Sequence, residues 1–531
     1  MKTRSTQDLT VRRALLGTLA AATVMASLLQ VPIDASVENI ECVCWVLASS
    51  FSILLYIGYT NAIEQQPLST FAIFGFCATT QLGALLFQTA YWTPLRSSLY
   101  DPHLTFSTLA IYQGIATSVH AAYRFFSFAS PVETRMLRRG LGWLGLYETP
   151  SAATLWIMGY IGVLGFIIGT NSGIGGKVAD GFRFLTWAPF LIPIYYRRVG
   201  NSYCNARITK FLLIVFSLLI VFLGMGLNYR QIMFFGVATI ALLFMLSGLR
   251  SKSEVIPSVV LKLAVAAAAL LALSGPTSDL ATAMAVARAH RGKITELAMI
   301  STTFDVWLHR PYLITAFRAE EKADLSYSGY DESYIANPLL ARLVETKFHD
   351  NSLHFGELLS SGDIEDLERF TMNSFWDVFP EPVLRSFGIV AKDEFSTATL
   401  GDYLAYLSRG TPLGGLKTGS VLAQGRVLLG PLFPFVYALI CLLLFAVMDL
   451  LTIRSALVPA SLSAVGMMKI WQLFIYGITA DSFEAIEIFI CREVPQMIAI
   501  YCIILGLSKL FLPNRRATQS ESGAYARQRA A

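Results

Sequence analysis

The chain has 531 residues, of which 54% are hydrophobic and only 15% charged, with a formal net charge of +5. A soluble globular domain carries about 25% charged residues, so this balance excludes a soluble enzyme or binding module. The basic excess comes from where lysine and arginine sit along a membrane protein and does not point to nucleic acid.

The chain opens with Lys2, Arg4, Arg12 and Arg13 ahead of an apolar run at 14–32, the pattern of a signal peptide or of a retained first helix. Eleven further apolar blocks favour the retained helix. They lie at 40–60, 69–90, 105–126, 152–170, 181–195, 209–227, 231–249, 256–274, 429–449, 456–478 and 494–512. Each approaches the ~20 residues that cross ~30 Å of hydrocarbon. Two are weak: the fourth carries Gln113 and His120, and the sixth is short and holds Pro189 and Pro193, which predicts a tilted, kinked or re-entrant segment. The fold class is therefore all-α, a polytopic bundle of about twelve transmembrane helices: a membrane domain of nine spans over 1–274, a loop over 275–428, spans ten to twelve over 429–512, and a tail over 513–531.

Basic residues are retained on the cytoplasmic side. Arg12 and Arg13, Arg135, Arg138 and Arg139, Arg197 and Arg198, and Arg515 and Arg516 fall on one side of an even count of spans. Both termini are thus predicted cytoplasmic and the 275–428 loop extracytoplasmic. None of the seven cysteines lies in that loop, and they show no metal-ligand spacing, so neither a disulfide within the loop nor a metal is expected. The loop is rich in aromatic residues, unlike a disordered linker. DIEDLERFTMNSFWDVF (363–379) places Ile364, Leu367, Phe370, Ser374, Phe375 and Val378 on one helical face, and NPLLARLVETKF (337–348) reads as a second amphipathic helix. The expected result is a small folded cap of helices resting on the bundle.

The end of the loop, RGTPLGGLKTGSVLAQGRVLLG (409–430), comes within one inserted leucine of a nucleotide-binding loop. That motif needs a preceding strand and a side where nucleotide is present; here TLGDYLAYLSRG reads as a helix and the side is external. The glycines then serve either close packing at the entry to span ten or an anion-binding surface with Arg409, Lys417 and Arg426. RAHRGK, where the chain leaves span nine, adds Arg288, His290, Arg291 and Lys293. Two basic clusters bracketing one loop suit a ligand with several negative charges at the bilayer surface, and Arg342 lies between them.

Candidates for proton transfer are His290, Asp350 and Glu484. Asp350 follows His349, but adjacent helical residues point about 100° apart, which argues against their acting as a pair. Glu484 belongs to an acidic stripe with Asp481 and Glu487 before span twelve. Lys469, deep in span eleven, is a further functional candidate, because an unpaired charge in the bilayer is costly.

Many spans, one large late external loop, and Thr418-Gly419-Ser420 followed by Gly425 and Gly430 at the next span together resemble the Wzy-type oligosaccharide repeat-unit polymerases of O-antigen and exopolysaccharide synthesis. The architectural likeness covers most of the chain, and the residue-level likeness only about 410–432. The resemblance implies a metal-independent and cofactor-free glycosyltransferase in the bacterial inner membrane. Its substrates would be polyprenyl-pyrophosphate-linked glycans, with a chain-length regulator and a flippase as possible partners. Cationic side chains would stabilise the departing pyrophosphate, and Trp307, Tyr312, Tyr327, Tyr330, Tyr334 and Trp376 offer faces for sugar rings. An O-antigen ligase, a flippase or other transporter, and a non-catalytic assembly protein are the rival readings.

Overall fold

The computed structural model describes residues 8–129, 133–169, 179–199, 206–230, 232–250, 275–290, 293–317, 334–335, 337–376, 386, 388, 398–415, 417–453 and 461–511. Among these the protein is almost wholly helical; the one strand pair joins Thr452–Ile453 to Ser461–Leu462, antiparallel. The first helices are α1 (Asp8–Ile33), α2 (Val37–Tyr59) and α3 (Pro67–Ala90), the last with a π-helical turn at Ala78–Leu82. Next come α4 (Pro102–Ala129), α5 (Glu133–Trp143) and α6 (Ala152–Ile168). A 3-10 segment, Arg183–Leu191, precedes α7 (Ala206–Gly226) and α8 (Ile232–Arg250).

The long loop contributes α9 (Glu296–His309), α10 (Thr346–Glu357), α11 (Ser361–Trp376) and α12 (Leu400–Arg409). The chain then continues through α13 (Val421–Leu429), α14 (Phe433–Leu450), α15 (Ala464–Met468), α16 (Ile470–Tyr476) and α17 (Phe483–Phe511), which has its own π-turn at Ile488–Glu493.

Among the described residues, seven helices are long and apolar enough to cross a membrane: Leu15–Ile33, α2, α3, Arg207–Gly226, α8, Val421–Leu450 and α17. The chain is therefore a helical membrane protein. The other expected spans differ. α4 is long but not apolar enough to stand among the seven, α6 is short, and the sixth block is the 3-10 segment rather than a helix of spanning length. That segment lies so close to α6 that a Cβ on Gly162 would stand 2.1 Å from the Thr186 amide nitrogen. The ninth block, 256–274, lies outside the described residues, and the described part of the eleventh is broken at Lys469 between α15 and α16.

Connections gather at two ends, in the alternation a helical bundle requires. At one end Arg12 binds Glu64 at 2.6 Å, Arg124 binds Gln65 at 2.9 Å, and Arg138 binds Asp449 at 3.1 Å, while Lys509 pairs with Glu148. At the other, Arg96 binds Asp34 at 2.6 Å and the Val421 amide donates to the Ala480 carbonyl at 3.1 Å.

The second end also receives α10, and here the expectation of a cap resting on the bundle changes. Every residue of Thr346–Gly356 except His354 is buried, so α10 is seated among α3, α4, α12 and α13 rather than laid over them. The widened turn of α3 accepts it: Thr79 and Thr80 carbonyls take the Glu345 amide at 3.0 Å and the Thr346 hydroxyl at 2.6 Å. A π-turn leaves backbone groups to be satisfied from outside its own helix, and the loop supplies the donors.

Candidate functional site

Two neighbouring residues hold α10 from opposite sides. The Asp350 carboxylate accepts from the Tyr100 amide at 3.0 and 2.9 Å, the Asp101 amide at 3.2 Å, the Thr105 hydroxyl at 3.1 Å and Lys347 Nζ at 2.8 Å. His349 turns the other way, its Nδ1 at 2.7 Å from Ser420 Oγ. The pair therefore diverges, as the 100° step between adjacent helical residues requires. With both carboxylate oxygens occupied and the side chain buried, Asp350 is placed to anchor the helix, not to receive a proton from a substrate.

The Thr-Gly-Ser stretch takes the complementary part. Ser420 caps α13, accepting from the Ala423 amide at 3.4 Å, while the same oxygen meets His349. Gly419 is squeezed between the Asp481 carbonyl and Leu400, where a Cβ would stand 2.7 and 2.8 Å away. Burial pushes the His349 imidazole down to about 4. The unfolded chain therefore binds a proton on this histidine below about pH 6.5 that the folded chain refuses until about 4. Stability gained above 6.5 should be lost as pH falls through this window. A melting series in detergent should show that acid sensitivity, and His349→Gln should reduce it; an unchanged pH profile in the variant would place the sensitivity elsewhere.

The accessible rim lies one turn further along α10. His354 stacks on Tyr100 with ring centroids 4.2 Å apart and planes 8° from parallel. Arg409, in the last turn of α12, reaches His354 Nε2 at 3.1 Å and lies over the Tyr100 and Phe355 rings at 5.7 and 5.4 Å. α12 stops there because Gly410 takes the left-handed C-cap conformation with φ +67°. Arg409 is exposed, and among the described residues no carboxylate lies within ion-pair distance of it.

The other predicted cations are differently placed. Arg426 pairs with Glu357 at 3.1 Å and reaches the Thr108 hydroxyl at 3.5 Å. Lys417 lies 3.7 Å from the buried Asp402 carboxylate, and exposed Arg342 sits over Phe348 at 5.7 Å. Glu484 stands in the first turn of α17, beside a tie in which Gln424 accepts from the Phe483 amide at 2.9 Å and donates to Thr371 at 2.8 Å.

Arg288 and His290 bound a short 3-10 turn, and His290 shares a cleft with Val306 of a small apolar cluster of Ala283, Val306 and Ile314, distinct from the one beneath α12. His290 there faces a cleft of about 390 Å³ with Asp305 and Arg310. The two basic clusters thus bracket the loop in sequence but stand on different packing units, and Arg291 lies outside the described residues. Lys469 pairs with Glu493 and Gln472, which accounts for its charge within the bundle. Of the aromatic candidates, Tyr334 is buried with its hydroxyl on the Leu95 carbonyl at 2.7 Å, Tyr312 and Trp376 are exposed, and Tyr327 and Tyr330 lie outside the described residues. Sequence reasoning passed over the Tyr100–His354 stack, because nothing local joins a residue before α4 to one in α10.

Comparison with protein-family models, with curated proteins and with solved structures finds no significant match.

Proposed function

We propose that the chain is a polysaccharide polymerase: a membrane glycosyltransferase that joins polyprenyl-pyrophosphate-linked oligosaccharide repeat units at the extracytoplasmic face of the bacterial inner membrane. In this reading the end carrying α10 and α12 faces outward, both termini are cytoplasmic, and the bundle has about twelve spans. The observation that carries the reading is Arg409, an accessible guanidinium with no carboxylate partner among the described residues, set beside an imidazole in a helical membrane bundle. Arginine binds phosphate oxygens bidentately, and a fixed cation beside a departing pyrophosphate lowers the barrier as charge develops. Arg426, engaged by Glu357, and Lys417, near Asp402, add further cations in and beside α13. Chemically, a hydroxyl of one repeat attacks the anomeric carbon of the chain on a second carrier, and the lipid pyrophosphate leaves.

A deletion strain should accumulate single capped repeats in place of long polymer, restored by the wild-type gene. Arg409→Ala should fail to restore it, with turnover down by roughly 10²–10³ if the cation meets the transition state. The glycan ladder on a gel reads both. Polymer of normal length held on its lipid carrier would instead identify a ligase, intermediates trapped inside the cell a flippase, and full restoration by Arg409→Ala would remove the assigned role of this arginine.

A further inference from the structure

The contact between Arg409 and His354 places a permanent cation on the Nε2 nitrogen of a partly exposed imidazole. Arg409 Nη2 stands 3.1 Å from His354 Nε2, and because guanidinium is a donor only, the imidazole must present its lone pair there. The ring is fixed by its stack on Tyr100 and by Phe355, whose centroid lies 5.8 Å away. Any base reaching a substrate through that nitrogen is therefore blocked while the arginine remains.

We infer that Arg409 and His354 form an anion-gated base: a phosphate-bearing ligand that draws the guanidinium onto itself uncovers His354 Nε2, which then takes the proton of the attacking hydroxyl. The identity of the reaction rests on the polymerase reading; the coupling between anion and imidazole does not. In the reaction, the hydroxyl oxygen bonds to the anomeric carbon as the bond from that carbon to the pyrophosphate oxygen breaks. The bonding pair leaves on the pyrophosphate, and the hydroxyl proton passes to Nε2. A base that works only with the donor bound would not activate water at an empty site.

The surrounding charges agree with the geometry. Burial first, and Arg409 second, hold the His354 imidazole below its ordinary value. Asp350 on the same helix and Asp101 before α4 push it up, Lys347 pushes it down, and Glu357 is engaged by Arg426 on α13. Arg409 is thus the charge whose movement a ligand can command, and its exposed position leaves it free to move.

The test uses full-length protein in nanodiscs with ¹³C-labelled histidine, of which there are six, and His354→Gln to identify the resonance. Inorganic pyrophosphate and farnesyl pyrophosphate are the probes. With bound anion the His354 titration midpoint should rise by about one unit, roughly a tenfold gain in proton affinity. Arg409→Ala should show a raised midpoint without anion and no further rise with it. A response to both probes means the phosphates suffice; a response to farnesyl pyrophosphate alone means the gate is specific to a lipid-borne anion. Binding seen by calorimetry with an unmoved midpoint overturns the gate and leaves the polymerase reading to the glycan ladder. Absence of binding by either probe also overturns it. A midpoint shift in the wild-type protein together with unaltered polymer in the Arg409→Ala strain would retain the coupling between anion and imidazole but overturn its part in glycosyl transfer, while the deletion strain alone decides the polymerase reading.

Discussion

Asp350→Ala should be among the most destabilising single substitutions in the protein, lowering its stability by about 3–5 kcal/mol, because it leaves Lys347 charged and buried without its partner. Lys347 is 2% exposed, its Nζ lies 2.8 Å from Asp350, and the Tyr100 ring lies 4.2 Å from it. The same change strips acceptors from the Tyr100 and Asp101 amides and the Thr105 hydroxyl. Thermal unfolding in detergent, with size-exclusion profiles, measures the loss. The double variant Lys347→Met with Asp350→Asn should recover part of it, since removing both charges abolishes the desolvation problem that removing one creates. This distinguishes the anchor from a proton acceptor: a base would tolerate Asp350→Asn structurally and lose only turnover. A wild-type melting temperature in Asp350→Ala would mean that α10 is held by something other than this carboxylate.

What could be read from the sequence follows from how each feature is encoded. Long apolar runs are local, so α2, α3, α8 and α14 emerge directly, and α11 buries Leu367, Phe370 and Ser374 on the predicted face. Phe375 departs from that face and is exposed. The weakness of the fourth block also has a cause: His120 in α4 is buried and bridges Tyr56 and Ser69, each at 2.8 Å, so polarity that lowers the hydropathy signal is satisfied by neighbouring helices. α10 was illegible for the opposite reason. TKFHDNSLHFGE (346–357) is polar enough to suggest solvent exposure, and the pattern over 337–348 predicts one helix where the chain instead makes a short helical turn at Pro338–Ala341 before α10. Its burial depends on partners 250 residues away in sequence at Tyr100 and 71 away at Ser420. Arg409 was visible as a cation at a helix end, but its geometry with His354 and Tyr100 is set by tertiary packing alone.

Gly425 provides the second large effect, because it separates the two roles open to the glycine-rich stretch. A Cβ there would stand 2.1–2.3 Å from three atoms of the Phe433 ring. That ring is fully buried, with Tyr112, Tyr437 and Phe483 at centroid distances of 5.0, 5.8 and 6.1 Å. With little room for the ring to step aside, Gly425→Ala should cost about 1–3 kcal/mol or more through overpacking. The strain falls on α13, which is capped by Ser420, carries Arg426 and abuts α10, so the melting temperature should fall and, on the polymerase reading, polymer length should shorten with it. Phe433→Leu in the same chain should restore part of both by vacating the space. Gly414 offers the contrast: it has φ +96° but no heavy atom within 4 Å of an added Cβ, so its substitution is limited to backbone strain of roughly 1–2 kcal/mol. Close packing at Gly425 predicts rescue by a smaller neighbour; an anion cradle made of backbone amides predicts none. Wild-type melting in Gly425→Ala, or a Phe433→Leu that worsens it, would dismiss close packing as the reason for this glycine.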